Sequence, residues 1–230
     1  IDIAKIMDDI YWIQAYGDKN EMLALTDPWE KEFALINYGP WDRMADWKPF
    51  VKGAKAKLPG VNFYPADMTK EEFEALKDEN KNSQYTVIRR DKDGKLFVRG
   101  YYEEYKEHLD KAIALMEKAV NITENKQLKN YLQKRIVALK TNDYFESDMA
   151  WMDMKDSNLD FVVGPIENYD DELFGLKTSF ESFVLVKDPE WSKKLAKFVK
   201  YLPELQKNLP VDAKYKQEKP GTDSDLNVYD

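Results

Sequence analysis

The sequence contains no cysteine and a single histidine, His108. The lack of cysteine excludes disulfide bonds, thiolate zinc sites and cysteine nucleophiles together. A catalytic zinc site takes three protein ligands, often with two histidines four residues apart on one helix. His108 lies between Glu107 and Leu109 in a helical pattern, and no second histidine accompanies it. We interpret His108 as a partly exposed helix residue and predict no metal site in this chain.

Long apolar runs and an excess of basic residues are also missing. No window approaches the roughly 20 apolar residues of a membrane-spanning helix. The 43 acidic residues outnumber the 35 basic ones, which gives a formal net charge of -8. Because phosphate binding needs clustered Lys and Arg, this balance argues against nucleic acid as a partner. The 230 residues are 43% hydrophobic, enough to bury a core.

The chain begins inside a helical pattern, with Ile3, Ile6, Ile10 and Ile13 at helical spacing. No capping residue or leader stands before this helix. We therefore expect that upstream sequence has been removed, together with any targeting signal. The compartment stays undetermined, and both a cytoplasmic and a periplasmic location agree with the composition.

The remaining sequence predicts helices that alternate with short extended segments. Asp27 and Pro28 mark the N-cap and first turn of a helix, with Trp29, Phe33 and Ile36 expected on its inner face. Further along, the pattern predicts a β-hairpin turning at Asp93-Gly94, two long amphipathic helices, a strand pair, and a last helix from Pro189 to about Gln206 that Asp188 can cap.

These elements predict the α+β class, helix-rich with a small antiparallel β-sheet or a partial barrel. Residues 1–208 are expected to form one lobe. Residues 209–230 are polar and are expected to form an extended tail.

An acid and a phenol stand where the first strand of the predicted pair ends. An apolar run from Phe161 leads to Glu167, Asn168 and Tyr169, and a second apolar run follows from Phe180. Residues two apart on a strand share a face, so Glu167 and Tyr169 are expected to point the same way and Asn168 the opposite way. A carboxylate can bind a cation and a phenol can donate a hydrogen bond. Periodicity alone favours the plainer interpretation, a strand end with a solvated acid and a tyrosine packed at the rim.

Five blocks of this sequence resemble the dipeptidyl peptidase III family of zinc metallopeptidases, and its bacterial members in particular. The segment from Gly164 to Val184 is similar to the family element G-x-I-E-x-Y…FG…FE-x-F-V. The other blocks are INYGPWDR (36–43), NFYPADMTKEEFE (62–74), ESDMAWMDMKDS (146–157) and PGTDSDLNVYD (220–230).

This resemblance implies a function for the acid and the phenol. Glu167 matches the glutamate that binds the free α-amine of a peptide substrate, and Tyr169 matches the tyrosine that donates to the scissile carbonyl. The family carries zinc on an H-E-x-x-G-H helix, which this sequence does not contain. The resemblance therefore implies the N-terminal, zinc-free, substrate-holding lobe of a two-lobed exopeptidase, inactive alone, whose partners are an N-terminally free oligopeptide and a missing C-terminal zinc lobe.

Two other functions are kept as alternatives. A family relative without chemistry would serve as a peptide-binding or interaction module, and a carboxylate-based hydrolase would act alone. The acids Glu146, Asp148, Asp153 and Asp156 do not have the spacing of a calcium loop. The acidic run from Asp170 to Glu172 is interpreted as a solvated turn, with added negative potential in a cleft as the alternative.

Overall fold

Helices make up most of the regular structure in this computed structural model, which describes residues 1–219 and 226–230. The chain order of the helices is α1 (Asp2–Ala15), α2 (Lys19–Leu23), α3 (Pro28–Asn37), α4 (Lys70–Ala75), α5 (Tyr101–Glu104), α6 (Lys106–Ile122), α7 (Lys126–Thr141), α8 (Phe145–Met152), α9 (Pro189–Val199) and α10 (Leu202–Lys207). In the described ranges, no helix combines the length and apolar composition of a transmembrane span.

Among the described residues, three small antiparallel sheets accompany these helices. Their strands are β1 (Trp41–Asp42), β2 (Lys48–Pro49), β3 (Thr86–Arg90), β4 (Leu96–Gly100), β5 (Leu159–Glu167), β6 (Ser179–Asp188) and β7 (Val228–Tyr229). Strand β1 pairs with β2, β3 pairs with β4, and β6 lies between β5 and β7. The helices and these small antiparallel sheets confirm the predicted α+β class. Of the two sheet arrangements that we predicted, the described strands form small sheets and close no barrel.

The main core lies where α1 packs against β6 and against α6, and α6 packs in turn against α7. Its fully buried side chains include Met7 and Ile10 of α1, Leu109 and Met116 of α6, and Phe180 of β6. These α1 and α6 residues recur at helical spacing, so each helix presents one apolar face. As a result α1 lies directly against β6, next to the strand end that carries Glu167.

Local capping signals formed as the sequence predicts. The Asp27 side chain accepts hydrogen bonds from the backbone amides of Trp29 and Glu30 at the start of α3. Asp188 caps α9 in the same way, through the amide of Trp191. Each of these bonds satisfies an amide that has no acceptor within the helix.

Two helix predictions were wrong in part. Trp29 and Ile36 are 79% and 66% exposed, and α3 instead buries Ala34 against Trp12 and Met22. The predicted last helix is interrupted after Val199 and resumes at Leu202, just before Pro203. Proline has no amide hydrogen and disfavours a helical residue before it, so it belongs in the first turn of a new helix.

The predicted polar tail is described only in part, because residues 220–225 and much of the last block of the resemblance lie outside the described residues. At its end, Val228 and Tyr229 form β7 opposite Asp188 and Lys187.

Candidate functional site

An open cavity of about 360 Å³ lies where the end of β5 meets α1 and the segment after α3. Its walls combine acids, phenols and one guanidinium. The lining residues are Asp8, Tyr11, Tyr38, Arg43, Glu167, Tyr169, Phe180, Glu181, Ser182 and Phe183. A concave surface with a few convergent polar groups is typical of a ligand site.

Glu167 is the last residue of β5 and Tyr169 lies in the turn that follows it, and both line this cavity. Glu167 is exposed and the Tyr169 side chain is 57% exposed, so neither is packed in the core. Asn168 does not line the cavity, and its side-chain amide donates to the Gly175 carbonyl at 2.6 Å. The structure therefore brings the two predicted site residues together, and their functional roles stay a prediction.

Glu181 is a second glutamate of the cavity that the sequence reasoning treated as scaffold. On β6 it lies two residues after Ser179, which pairs with Glu167 across a β-bulge that begins after Pro165. Residues two apart on a strand share a face, so this register brings Glu181 beside Glu167. Burial and the negative charges of Glu167 and Asp170 raise the pKa of Glu181 to about 7.

The Tyr169 hydroxyl is held in its protonated form. Partial burial raises the pKa of Tyr169 to about 12, and the carboxylates of Glu181, Asp170 and Glu167 act in the same direction. A phenol with this pKa keeps its hydrogen at neutral pH, so Tyr169 can donate a hydrogen bond into the cavity.

The wall opposite the glutamates centres on Arg43. Its Nη2 atom donates a short hydrogen bond to the Tyr11 hydroxyl and lies 3.5 Å from Asp170 Oδ1. The Tyr11 hydroxyl in turn donates to Asp170 Oδ2 at 2.9 Å. Asp170 also accepts from the Ser179 hydroxyl at 3.1 Å. These bonds link α1, the segment after α3 and the chain next to Tyr169.

The prediction of a solvated turn for Asp170 to Glu172 is wrong for the first two residues, whereas Glu172 is exposed. Asp170 and Asp171 are 4% and 1% exposed. The Asp171 carboxylate accepts from the Tyr64 hydroxyl and from four backbone amides, those of residues 173, 174, 176 and 177. A buried carboxylate needs such partners, so Asp171 organises this loop while Asp170 adds negative charge behind the cavity.

Lys177, which is fully buried, attaches the same loop to another segment of the chain. The Lys177 ammonium donates to the carbonyl oxygens of Lys81 and Ser83, at 2.7 and 2.8 Å, and to Thr86 Oγ1 at 2.8 Å. All three donor hydrogens of an ammonium are therefore used. Lys177 ties the loop below the cavity to the segment that precedes β3.

Two of the four acids in and after α8, Glu146 and Asp148, form ion pairs with residues of α7. Glu146 pairs with Lys134 at 2.8 Å, and Asp148 pairs with Arg135 at 2.6 Å. Within residues 1–219 and 226–230, no group of three or more His, Asp or Glu side chains could hold a metal ion.

The sequence reasoning missed Asp8, Tyr11, Arg43 and Glu181 as cavity residues. Two of them lie in segments that resemble the dipeptidyl peptidase III family, Arg43 at the end of INYGPWDR and Glu181 in the segment from Gly164 to Val184. The family resemblance of these two segments was therefore the sequence feature that could have identified Arg43 and Glu181. Asp8 and Tyr11 lie on α1, whose sequence pattern predicts only an amphipathic helix. No local pattern distinguishes them as site residues.

Comparisons with known proteins agree on one family. The sequence model described as "Peptidase family M49" matches residues 57–223. The structure of DPP III from Caldithrix abyssi is 44% identical with a TM-score of 0.87, covering 99% of this chain and 46% of that chain. Dipeptidyl-peptidase III from Corallococcus sp. strain EGB is 34% identical with a TM-score of 0.80, covering 99% and 45%.

A curated relative extends the similarity to plants. Nudix hydrolase 3 of Arabidopsis thaliana is 31% identical over 94% of this chain and 36% of its own length. The chain therefore spans less than half the length of each of these relatives.

Proposed function

This chain belongs to peptidase family M49, and from that premise we propose that it is the substrate-binding lobe of a dipeptidyl peptidase III-like zinc exopeptidase. Such an enzyme releases dipeptides from peptide N-termini. The observation that carries the proposal is that Glu167, Glu181 and Tyr169 line one open cavity. This lobe would bind and align the peptide, and the isolated chain would release no dipeptide.

Glu167 is the proposed ligand of the substrate α-ammonium group. It is exposed at the end of β5, and the ionised form of Glu181 adds a second negative charge to the same cavity. A charge-assisted hydrogen bond to an ammonium group favours a peptide with a free N-terminus over a blocked one. Holding that terminus at a fixed place would set which peptide bond reaches the reacting groups.

Tyr169 is the proposed donor to the scissile carbonyl. Its pKa of about 12 keeps the hydroxyl protonated at neutral pH. As the carbonyl becomes an oxyanion, a neutral phenol can stabilise the developing charge without giving up its proton first. The position of Tyr169 two residues after Glu167 would place this donor near the N-terminal end of the peptide.

Zinc belongs to the proposed whole enzyme and not to the residues described for this chain. With one histidine, no cysteine and no suitable cluster among the described side chains, the chain does not offer a catalytic zinc its ligands. We therefore assign to this lobe only binding, orientation and hydrogen bonding.

The amine-binding role can be tested by calorimetry on the 230-residue chain. A tetrapeptide with a free N-terminus should bind, and its N-acetylated form should bind at least about tenfold more weakly, because a charge-assisted bond contributes about 1.5–3 kcal/mol. Glu167→Gln should abolish that preference. Equal affinity of wild type for the free and the acetylated peptide would refute an amine site.

The hydrogen-bonding role of Tyr169 needs the full-length peptidase that carries this lobe. There, Tyr169→Phe should lower kcat by about 10² to 10³, as the loss of one oxyanion donor does, with little change in KM. Tyr215→Phe is a suitable control because Tyr215 is 64% exposed and lies away from the cavity. Unchanged turnover in Tyr169→Phe would remove the role assigned to Tyr169.

A further inference from the structure

We infer that Arg43 is a positioning residue of this cavity, which balances the negative charge around Glu181 and anchors the chain segment that carries Tyr169. The inference rests on the proposed function only for calling the cavity a peptide site. The charge balance itself concerns the peptide-free chain and can be measured there.

The cavity gathers more acids than bases. Asp8, Glu167 and Glu181 line it, Asp170 lies buried behind it, and Arg43 is the basic residue among the lining side chains. Like charges in a partly buried site disfavour one another's ionised forms. A guanidinium at this place offsets that repulsion, and it stays charged at any pH at which proteins are folded.

The Arg43 guanidinium is held from several sides. It lies 4.9 Å from the centre of the Trp47 ring and 5.9 Å from that of Tyr11. The Arg43 backbone amide donates to the Asn37 side-chain oxygen at 3.0 Å. A side chain fixed by ring contacts and by its own backbone loses little freedom when it forms an ion pair.

The same guanidinium reaches the residue that follows Tyr169. Its Nη2 atom lies 3.5 Å from Asp170, whose side chain is only 5% exposed, and the Tyr11 hydroxyl bridges the two. Loss of Arg43 would leave the buried Asp170 with the Tyr11 and Ser179 hydroxyls as its partners. The position of Tyr169 would then depend on fewer contacts.

Glu181 reports on this balance, because several charged or titratable groups surround it. Burial and the carboxylates of Glu167 and Asp170 raise its pKa to about 7, while a hydrogen bond from Tyr169 and the charge of Arg43 lower it. The titratable groups that face it are Asp8 and Tyr11 of α1, Tyr38 after α3, Arg43, Glu167 of β5, and Tyr169 and Asp170 in the following loop.

The test is a carbon-13 NMR titration of the Glu181 carboxyl group in the peptide-free chain, assigned with Glu181→Gln. Arg43→Met should raise the titration midpoint of Glu181 by about one pH unit. Arg43→Lys should keep it near the wild-type value, because the positive charge remains. Lys48→Met is a matched control, since it removes an exposed cation from the same segment and should leave the midpoint unchanged.

A midpoint that is the same in wild type and Arg43→Met would overturn the inference, as would an equal rise in Lys48→Met. Tyr11→Phe separates charge from hydrogen bonding, because it removes the bridging hydroxyl and keeps the guanidinium. A rise in Tyr11→Phe as large as in Arg43→Met would therefore also count against charge balance. If Arg43→Met fails to fold, Arg43→Gln replaces it, with a raised midpoint in support of the inference and a wild-type midpoint against it.

The NMR result and the peptide-binding result are independent of each other. A wild-type chain that binds no peptide but shows the predicted rise in Arg43→Met would refute the proposed function and support the charge balance. A chain that binds free-amine peptides but shows no such rise would support the proposed function and refute the charge balance.

Discussion

Replacing Lys177 with methionine should lower the stability of the protein. Lys177 is fully buried and donates three hydrogen bonds of 2.7 to 2.8 Å, to two backbone carbonyls and to Thr86. Methionine has a similar length but no donor. Bonds to a charged donor contribute about 1.5 kcal/mol or more each, so three of them correspond to about 4.5 kcal/mol or more. The lowered pKa of Lys177 shows that desolvation of the ammonium offsets about 3 kcal/mol of this, which leaves a net loss of about 1 kcal/mol or more. Small domains have about 5–15 kcal/mol in total.

Urea unfolding followed by circular dichroism measures this loss in the free energy of unfolding. Lys193→Met is the matched control, because Lys193 is exposed on α9 and its substitution should change stability by less than about 0.5 kcal/mol. A loss in Lys177→Met as small as in this control would refute the reasoning that the buried ammonium holds the loop to the segment before β3.

The pH dependence of stability gives a second measure of the same group. Burial lowers the pKa of Lys177 from 10.5 to about 8. Between these values the unfolded state binds more protons than the folded state, so this group makes the free energy of unfolding rise with pH, by about 3 kcal/mol in all. Below about pH 8 the lysine is charged in both states and adds no slope. Lys177→Met should lack the rise, and parallel curves for the two proteins would contradict the assignment.

Two further predictions concern the backbone around the site. Gly164 has a φ of +133°, and a Cβ there would lie 3.3 Å from Arg135 Nη1, so Gly164→Ala should lower the free energy of unfolding by about 1–3 kcal/mol. Gly94→Ala is the control, because Gly94 also has a positive φ but faces open space, and this substitution should lower the free energy of unfolding less. Equal losses in the two variants would contradict the crowding at Gly164. Asp188→Ala removes the N-cap of α9 and should cost about 1 kcal/mol in a thermal or urea experiment, whereas no loss would show that the cap bond is not formed in solution.

Features that depend on neighbouring residues were predictable from the sequence. The hairpin turns at Asp93-Gly94, where Gly94 has a φ of +80°, and the caps at Asp27 and Asp188 form the expected bonds. Each relies on a preference that acts within a few residues, such as glycine at positive φ or a carboxylate next to unpaired amides. Glu167 and Tyr169 were found from a contiguous motif, although Tyr169 lies in the turn after β5 and not on the strand itself.

Features that depend on distant partners were not predictable. The exposure of Trp29 and Ile36 follows from which face of α3 meets Trp12, which a hydrophobic pattern alone does not specify. The acids Asp170 and Asp171 look like a solvated turn, yet Tyr11 and Tyr64, more than 100 residues away in sequence, supply hydrogen bonds that let them be buried.

By itself, then, the sequence determined the α+β class, the family resemblance and the pair Glu167 and Tyr169, because these are carried by composition, local pattern and contiguous motifs. Only the tertiary structure decided the rest of the site. The bulge and register of β5 and β6 set Glu181 beside Glu167, and the packing of α1 and the segment after α3 brought Arg43 opposite them. Register and helix packing are settled by long-range contacts, and the charge environment of the cavity depends on both.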